Sequence, residues 1–238
     1  SIGRFSADNI SVTRKDSTVH NDSITKKKSA DKAKKDSTAA KKENAYDKLM
    51  KKGGSVRNGL FTVRHIEDKW YFEVPQRITD RMLLAVTRFT SVPQAFKELP
   101  GEEVNHSTIY FEKRDDKTLL LRAYAKTQVA DDKEQMAQLV EKSTIDPIVA
   151  KFDIIGKNPK TGDMLVEVSK FFVQDNNIFG LSSSDRKVVN VTALQADRSF
   201  IDTMTVYPIN VEVRTLRTYS CPDGRMPASR TGFVTVGM

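Results

Sequence analysis

One stretch of the sequence admits a single structural interpretation. From Asn210 to Tyr219, residues suited to a pleated surface alternate with charged ones at a period of two. This pattern predicts a long strand with Val211 and Val213 on one face and Glu212 and Arg214 on the other. Because an isolated strand is not stable in water, the rest of the chain must supply strands that pair with it.

Several other segments have the composition of such strands. Two hairpins are predicted from β-rich runs separated by short polar connectors, at Leu60–Ile66 with Trp70–Val74 and at Thr108–Arg114 with Thr118–Tyr124. Further single strands are predicted at Ile148–Ile155, Met164–Val168, Val188–Val191 and 232–237. The apolar run from Met82 to Val86 has no alternation, which is typical of a central strand that is covered on both faces.

Helical signals are few and short. Asn44 can cap a helix in which Tyr46, Leu49 and Met50 share one face, and a longer amphipathic helix is predicted at Asp131–Lys142. Repeated strand-helix-strand units are missing from the pattern. The sequence therefore predicts an α+β fold, mainly antiparallel sheet with one or two short covering helices.

Three regions follow from the changes in composition. Residues 1–43 are predicted to be a disordered basic leader, 44–104 a small β-rich domain, and 105–238 a larger antiparallel α+β domain. Strand-like alternation runs to the last residue, Met238, so we expect the second domain to be incomplete at its C-terminal end.

The net charge of +8 is concentrated in the leader. Residues 1–55 contain 14 Lys or Arg and 7 Asp or Glu, net +7, whereas residues 56–238 contain 25 and 24, net +1. The leader could bind polyanions, but its lysines are not interleaved with aromatic residues, which favours a solvated linker. No nucleic-acid partner is expected for the folded region, and no apolar run is long enough to form a transmembrane segment.

Few residues in the sequence indicate a catalytic, metal-binding or ligand-binding site. His20, His65 and His106 lie far apart and lack the helical spacing of zinc ligands, so no catalytic residue, metal ligand or cofactor site is predicted in this chain. Trp70 and Tyr71 are candidates for an interaction surface, although core packing is the commoner role of such residues. Cys221, the only cysteine, lies in a turn signature, where an exposed thiol could be a metal-directed inhibitor or incidental.

Five short sequence segments, in order along the chain, resemble the N-terminal region of a family of large exported bacterial zinc-dependent metalloproteases. They are Gly59–Val63, Trp70–Pro75, Pro147–Asp153, Asp197–Ile201 and Asn210–Thr215. In that family, two non-catalytic domains of unknown function precede a metzincin-like domain with a His-Glu-x-x-His zinc motif. This motif is absent here, so no ligand or catalytic residue of the family can be assigned to this chain.

The resemblance implies a non-catalytic accessory or prodomain-like region of an exported enzyme. The implied partner is a downstream peptidase domain of the same polypeptide that binds the zinc and a peptide substrate. The implied location is periplasmic, outer-membrane-associated or extracellular, with the signal peptide absent from this chain. The alternative is an autonomous β-rich module that binds a peptide or glycan at an open sheet edge.

Overall fold

The computed structural model describes residues 44–94, 96–125, 144–221 and 231–238. These residues belong to one compact unit that begins at Lys42 and ends at Met238. The predicted leader, residues 1–43, and the predicted helix at Asp131–Lys142 lie outside the described residues.

Short helices and twelve strands make up the described part of the chain. The helices are α1 (Ala45–Met50), α2 (Ser169–Val173) and α3 (Ser183–Val188), with single 3₁₀ turns at Gln76–Ile78 and Ala196–Arg198. The strands are β1 (Ser55–Arg57), β2 (Thr62–Ile66), β3 (Lys69–Val74), β4 (Leu83–Arg88), β5 (Glu103–Lys113), β6 (Thr118–Ala123), β7 (Ile148–Asp153), β8 (Gly156–Lys157), β9 (Met164–Glu167), β10 (Phe200–Val206), β11 (Val211–Ser220) and β12 (Phe233–Gly237).

The strands form three sheets in which every pairing of named strands is antiparallel, which confirms the predicted fold class. The five-stranded sheet has the order β1-β2-β3-β9-β8, the four-stranded sheet β4-β5-β6-β7, and the three-stranded sheet β10-β11-β12. One apolar core receives residues from all three sheets, including Val63 and Phe72, Phe111 and Leu121, and Met204.

The long strand of the sequence is β11, and its predicted faces are confirmed at most positions. Val211 and Val213 pack against the core, whereas Glu212 and Arg214 are exposed. The same alternation predicts that Thr218 lies on the wet face with Glu212 and Arg214, and this is wrong, because Thr218 is buried. Its hydroxyl hydrogen-bonds to neighbouring main-chain and side-chain groups, which compensates for its burial.

Both predicted hairpins are confirmed as β2–β3 and β5–β6. The helix capped by Asn44 is also confirmed, because its side chain accepts a hydrogen bond from the N–H of Asp47 at 2.7 Å. The strand predicted at Val188–Val191 is wrong. Ser182 and Asp185 form a capping box that begins α3, and this helix extends to Val188.

The position of β4 in its sheet differs from the sequence prediction. The run Met82–Val86 predicts a central strand, but among the described residues β4 pairs only with β5 and lies at the edge of the four-stranded sheet. Leu84 is 70% exposed and Val86 37%. The sequence of a central strand therefore occupies an edge position.

The predicted boundary between residues 104 and 105 falls inside β5. On one side of it, β4 pairs with β5, and β3 pairs with the distant β9. Strands from both predicted domains therefore share two of the three sheets.

Candidate functional site: a slot between two strand edges

The side of β11 that faces away from β10 is only partly paired. Leu216–Ser220 pair with β12, and the N–H and C=O of Thr215 bond to Met238 at 2.7 and 2.9 Å. In an antiparallel ladder, both main-chain groups of a residue point to the same neighbour, and alternate residues point to opposite ones. The main-chain groups of Val213 and Val211 therefore point the same way as those of Thr215, where no backbone group of the described residues bonds to them.

β4 presents a second unpaired edge. Both main-chain groups of Phe89 bond to residues 101–102, on the side of β5. By the same alternation, the N–H and C=O groups of Leu84, Val86 and Arg88 point away from β5. Within the described ranges, no strand pairs with them on that side.

The end of β12 bonds to both edges. Gly237 donates its N–H to Ser91 at 2.8 Å and accepts from the N–H of Thr90 at 2.9 Å, while Met238 bonds to Thr215. β12 runs antiparallel to β11 and to the segment that follows β4. Gly237 and Met238 therefore lie as a single intervening strand between Thr90–Ser91, the segment that follows β4, and Thr215 of β11.

We call the space between Leu83–Arg88 and Val211–Thr215 the slot. A cavity of about 690 Å³ occupies it, and every residue of both segments lines this cavity. Since both faces of each strand contribute, the cavity passes between two strand edges and does not lie on one face of a sheet. Its inner wall is apolar and mostly aromatic, formed by Leu60, Phe61, Phe72, Ile109, Phe111, Leu121, Phe152, Phe171, Phe172 and Phe179.

Arg217 also lines the cavity and is only 2% exposed. It donates from Nη2 to the carbonyl of Phe172 at 2.5 Å and from Nε to the hydroxyl of Thr215 at 3.3 Å. Among the described residues, Nη1 and the hydroxyl of Tyr219 have no partner with hydrogen-bond geometry, although the two side chains are close enough to interact electrostatically. Burial lowers the pKa of Arg217, an effect that the neighbouring Tyr219 only partly opposes. The region beside the slot thus holds an incompletely satisfied buried charge.

Gly180 makes this arrangement possible. A Cβ atom there would lie 2.8 Å from Nη1 of Arg217, and its φ of +119° is disfavoured for other residues. A glycine is therefore required where the chain passes over the guanidinium.

A second buried ionic group lies in the five-stranded sheet and is well satisfied. Glu73, 1% exposed, accepts from the hydroxyl of Tyr46 at 2.7 Å, from the side-chain amide of Asn158 at 3.1 Å, and from Arg64, with which it forms an ion pair. Burial and the hydrogen bond to Glu73 raise the pKa of Tyr46 to about 12. All these partners are structural, so we assign the network to folding: it fixes α1 and the β8–β9 turn onto the sheet.

The structure places Trp70 and Tyr71 in the core. Trp70 is 9% exposed and Tyr71 4%, and the imidazole of His65 stacks on Trp70 at 4.1 Å. Core packing, the alternative considered from the sequence, accounts for both side chains. Their use in an interaction stays a prediction, with little ring surface available for it.

Cys221 is also buried, directly after β11. Its thiol donates to the carbonyl of Asn190 at 3.3 Å, and it packs with Val189, Val191 and Val234. The exposed thiol on which an inhibitory role depends is therefore not found in this structure.

His65 and His106 do not meet. His65 stacks on Trp70, and the ring of His106 hydrogen-bonds to Glu103 at 2.9 Å. The described residues contain no group of three or more His, Cys, Asp or Glu side chains that could hold a metal ion.

Sequence reasoning missed the slot and Arg217. The unalternating run Met82–Val86 predicts a strand covered on both faces, and it gave no sign that one edge of β4 is open. Arg217 was detectable by counting in steps of two from Val213, which places a charged residue on the core face.

Two protein-family models match segments of the chain. The model described as Domain of unknown function (DUF5117) matches residues 101–238, more than half of the chain, and the chain belongs to this family. A second model, Domain of unknown function (DUF5118), matches residues 43–92. No curated protein and no solved structure matches the chain. Of the helices in the described ranges, none has both the length and the apolar character to span a bilayer.

Proposed function

We propose that this chain is the non-catalytic, accessory or prodomain-like N-terminal region of an exported zinc-dependent metalloprotease. It supports or covers a peptidase domain that lies further along the same polypeptide and that binds the zinc.

The observation that carries this proposal is the order of the five resembling sequence segments. Gly59–Val63 and Trp70–Pro75 lie within the first family segment, and Pro147–Asp153, Asp197–Ile201 and Asn210–Thr215 lie within the second. Two adjacent domains of unknown function are the arrangement that precedes the peptidase in the family that the chain resembles.

The buried ionic groups are consistent with a scaffold role. Glu73 is bonded by Tyr46, Arg64 and Asn158, so its carboxylate is engaged in packing and is not available as a general base. The role proposed for this chain is therefore to shape or escort an active centre, and the chemistry is performed elsewhere.

The complete gene product and a chain of residues 1–238 test the proposal. The gene product should contain a His-Glu-x-x-His motif and cleave casein only when zinc is present, and substitution of the motif glutamate by glutamine should abolish cleavage. Residues 1–238 should not cleave casein. A gene product without the motif, or zinc-dependent cleavage by residues 1–238 alone, would contradict the proposal.

The slot favours a second candidate, a module that binds a separate extended peptide. Both of its edges offer unpaired main-chain groups, as in binding by strand addition. In that case, the complete gene product should bind peptides in the slot and should lack a peptidase domain. A glycan ligand has less support, because Trp70 and Tyr71 are buried.

A further inference from the structure

The slot offers main-chain bonding groups on both walls, and at its end beside Gly237 and Met238 it is one strand wide. One wall offers the main-chain groups of Val211 and Val213, and the other offers those of Leu84, Val86 and Arg88. Two facing rows of unpaired N–H and C=O groups are unfavourable unless something bonds to them, and they promote pairing with another strand.

The direction and register of such a strand follow from β12. Met238 lies opposite Thr215 and Gly237 lies opposite Ser91, so a strand that continues the line of β12 runs antiparallel to both walls. Its second and fourth residues after Met238 lie opposite Val213 and Val211 and exchange main-chain hydrogen bonds with them.

The side-chain requirements also follow. Val211, Val213 and Met238 face the core, and residues directly opposite one another share a face of the sheet. The second and fourth residues of the added strand therefore point into the aromatic cavity and should be apolar. The first, third and fifth point outward beside Leu84 and Val86, where polar residues are tolerated.

The exposed side chains of β4 provide independent support. Leu84 is 70% exposed and Val86 37%, and a strand added at this edge would place its outward side chains beside both. With one strand in the slot, the four-stranded and three-stranded sheets become one continuous sheet, and β4 becomes a central strand.

We propose that the slot is filled by an extended strand of the same polypeptide, in line with β12, that joins these two sheets. This inference rests on the proposed function, which places a peptidase domain downstream. The strand is then the physical connection between the scaffold and that domain, since its far end leaves the sheet beside Val211 and Leu84.

Chains of residues 1–238 with defined five-residue tails test the fit. The tail Thr-Val-Thr-Val-Thr places valines at the second and fourth positions. Backbone amide exchange at Val211, Val213, Leu84 and Val86 should slow by roughly tenfold or more relative to the chain without a tail. The tail Val-Thr-Val-Thr-Val, of equal length, turns threonines inward and should protect these amides less. The tail Thr-Pro-Thr-Pro-Thr lacks the two N–H donors to β11 and should not protect them.

The complete gene product tests the source of the strand. The same amides should already be protected in it, and a fluorescent Thr-Val-Thr-Val-Thr peptide should not bind. Unprotected amides together with peptide binding would overturn the inference in favour of a separate partner, even if the gene product is a zinc peptidase. Equal exchange with all three tails would show that the slot does not accept a strand. Failure of the casein assay alone would instead contradict the proposed function.

Discussion

The five-stranded sheet differs from the two sheets beside the slot in how many unpaired main-chain groups its edge strands expose. The five-stranded sheet ends in β1, of three residues, and β8, of two, and such short edge strands offer little template for further pairing. β4 and the first half of β11 present longer edges that face each other across an aromatic cavity. The first region is closed and its buried charge is bonded, whereas the second is open and its buried charge is only partly bonded. This difference identifies the slot as the part of the described structure where main-chain groups can accept a further strand.

The largest effect should come from proline substitutions in β4. Ala85→Pro removes an N–H that points toward Ser107 of β5, so we expect a loss of roughly 3 kcal/mol or more in the free energy of unfolding. Leu84→Pro removes an N–H that points into the slot and should cost about 1 kcal/mol or less. Urea denaturation of both variants measures the difference. Equal losses would mean that the edge of β4 is not open.

The buried carboxylate of the closed region should give the next largest effect. Glu73→Ala leaves Arg64 and Tyr46 without their acceptor and should lower the free energy of unfolding by about 3 kcal/mol. Glu167→Gln, in the same sheet, removes an exposed ion pair with Lys69 and should cost less than about 1 kcal/mol. Urea midpoints that are equal for the two variants would contradict the assignment of Glu73 to the folding network.

Alkaline titration compares one tyrosine from each region. Burial and a hydrogen bond to a carboxylate raise the pKa of both Tyr46 and Tyr110 from 10.0 to about 12. A raised pKa in the folded state means that the unfolded chain loses the proton first, so stability is lost as the pH rises from 10 to about 12. Tyr46→Phe and Tyr110→Phe should each reduce this loss, measured as the fall in Tm across that window. If the fall in Tm across that window is unchanged in both variants, groups other than these two tyrosines cause the loss of stability.

The smallest effect is expected at Arg217, despite its depth. Arg217→Met removes one strong hydrogen bond to Phe172 but also a desolvated charge with an unmet donor, so the free energy of unfolding should change by less than about 1 kcal/mol. Arg64→Met is the matched control in the closed region. It should lower the free energy of unfolding by about 3 kcal/mol, because it leaves the buried carboxylate of Glu73 without its ionic partner. If Arg217→Met lowered the free energy of unfolding as much as Arg64→Met does, the buried charges of the two regions would not differ in how well they are bonded.

Local pattern predicted much of the fold. The alternation of β11 was visible because its outer face is wet, and the hairpins were visible because polar connectors separate β-rich runs. Val188 was misassigned because branched residues favour a strand, whereas the capping box at Ser182 and Asp185 began a helix that overrode this preference.

The candidate site was less predictable, since it is made by pairing. The run Met82–Val86 indicated a strand covered on both faces, but the sequence does not show that β11 supplies the facing edge or that Gly237 and Met238 bond to both sides. The contact of Gly237 with Ser91 joins residues 146 positions apart and that of Met238 with Thr215 joins residues 23 apart, and no local period encodes such pairings.

By itself, the sequence determined the class of fold, the faces of its long strand and the family segments, because these depend on periods of two and on residue composition. Only the tertiary structure decided that β4 lies at an edge, that Glu73 is fully bonded while Arg217 is not, and that two edges enclose a slot. Strand order and the satisfaction of buried polar groups depend on which distant segments meet, and that is a property of the whole packed chain.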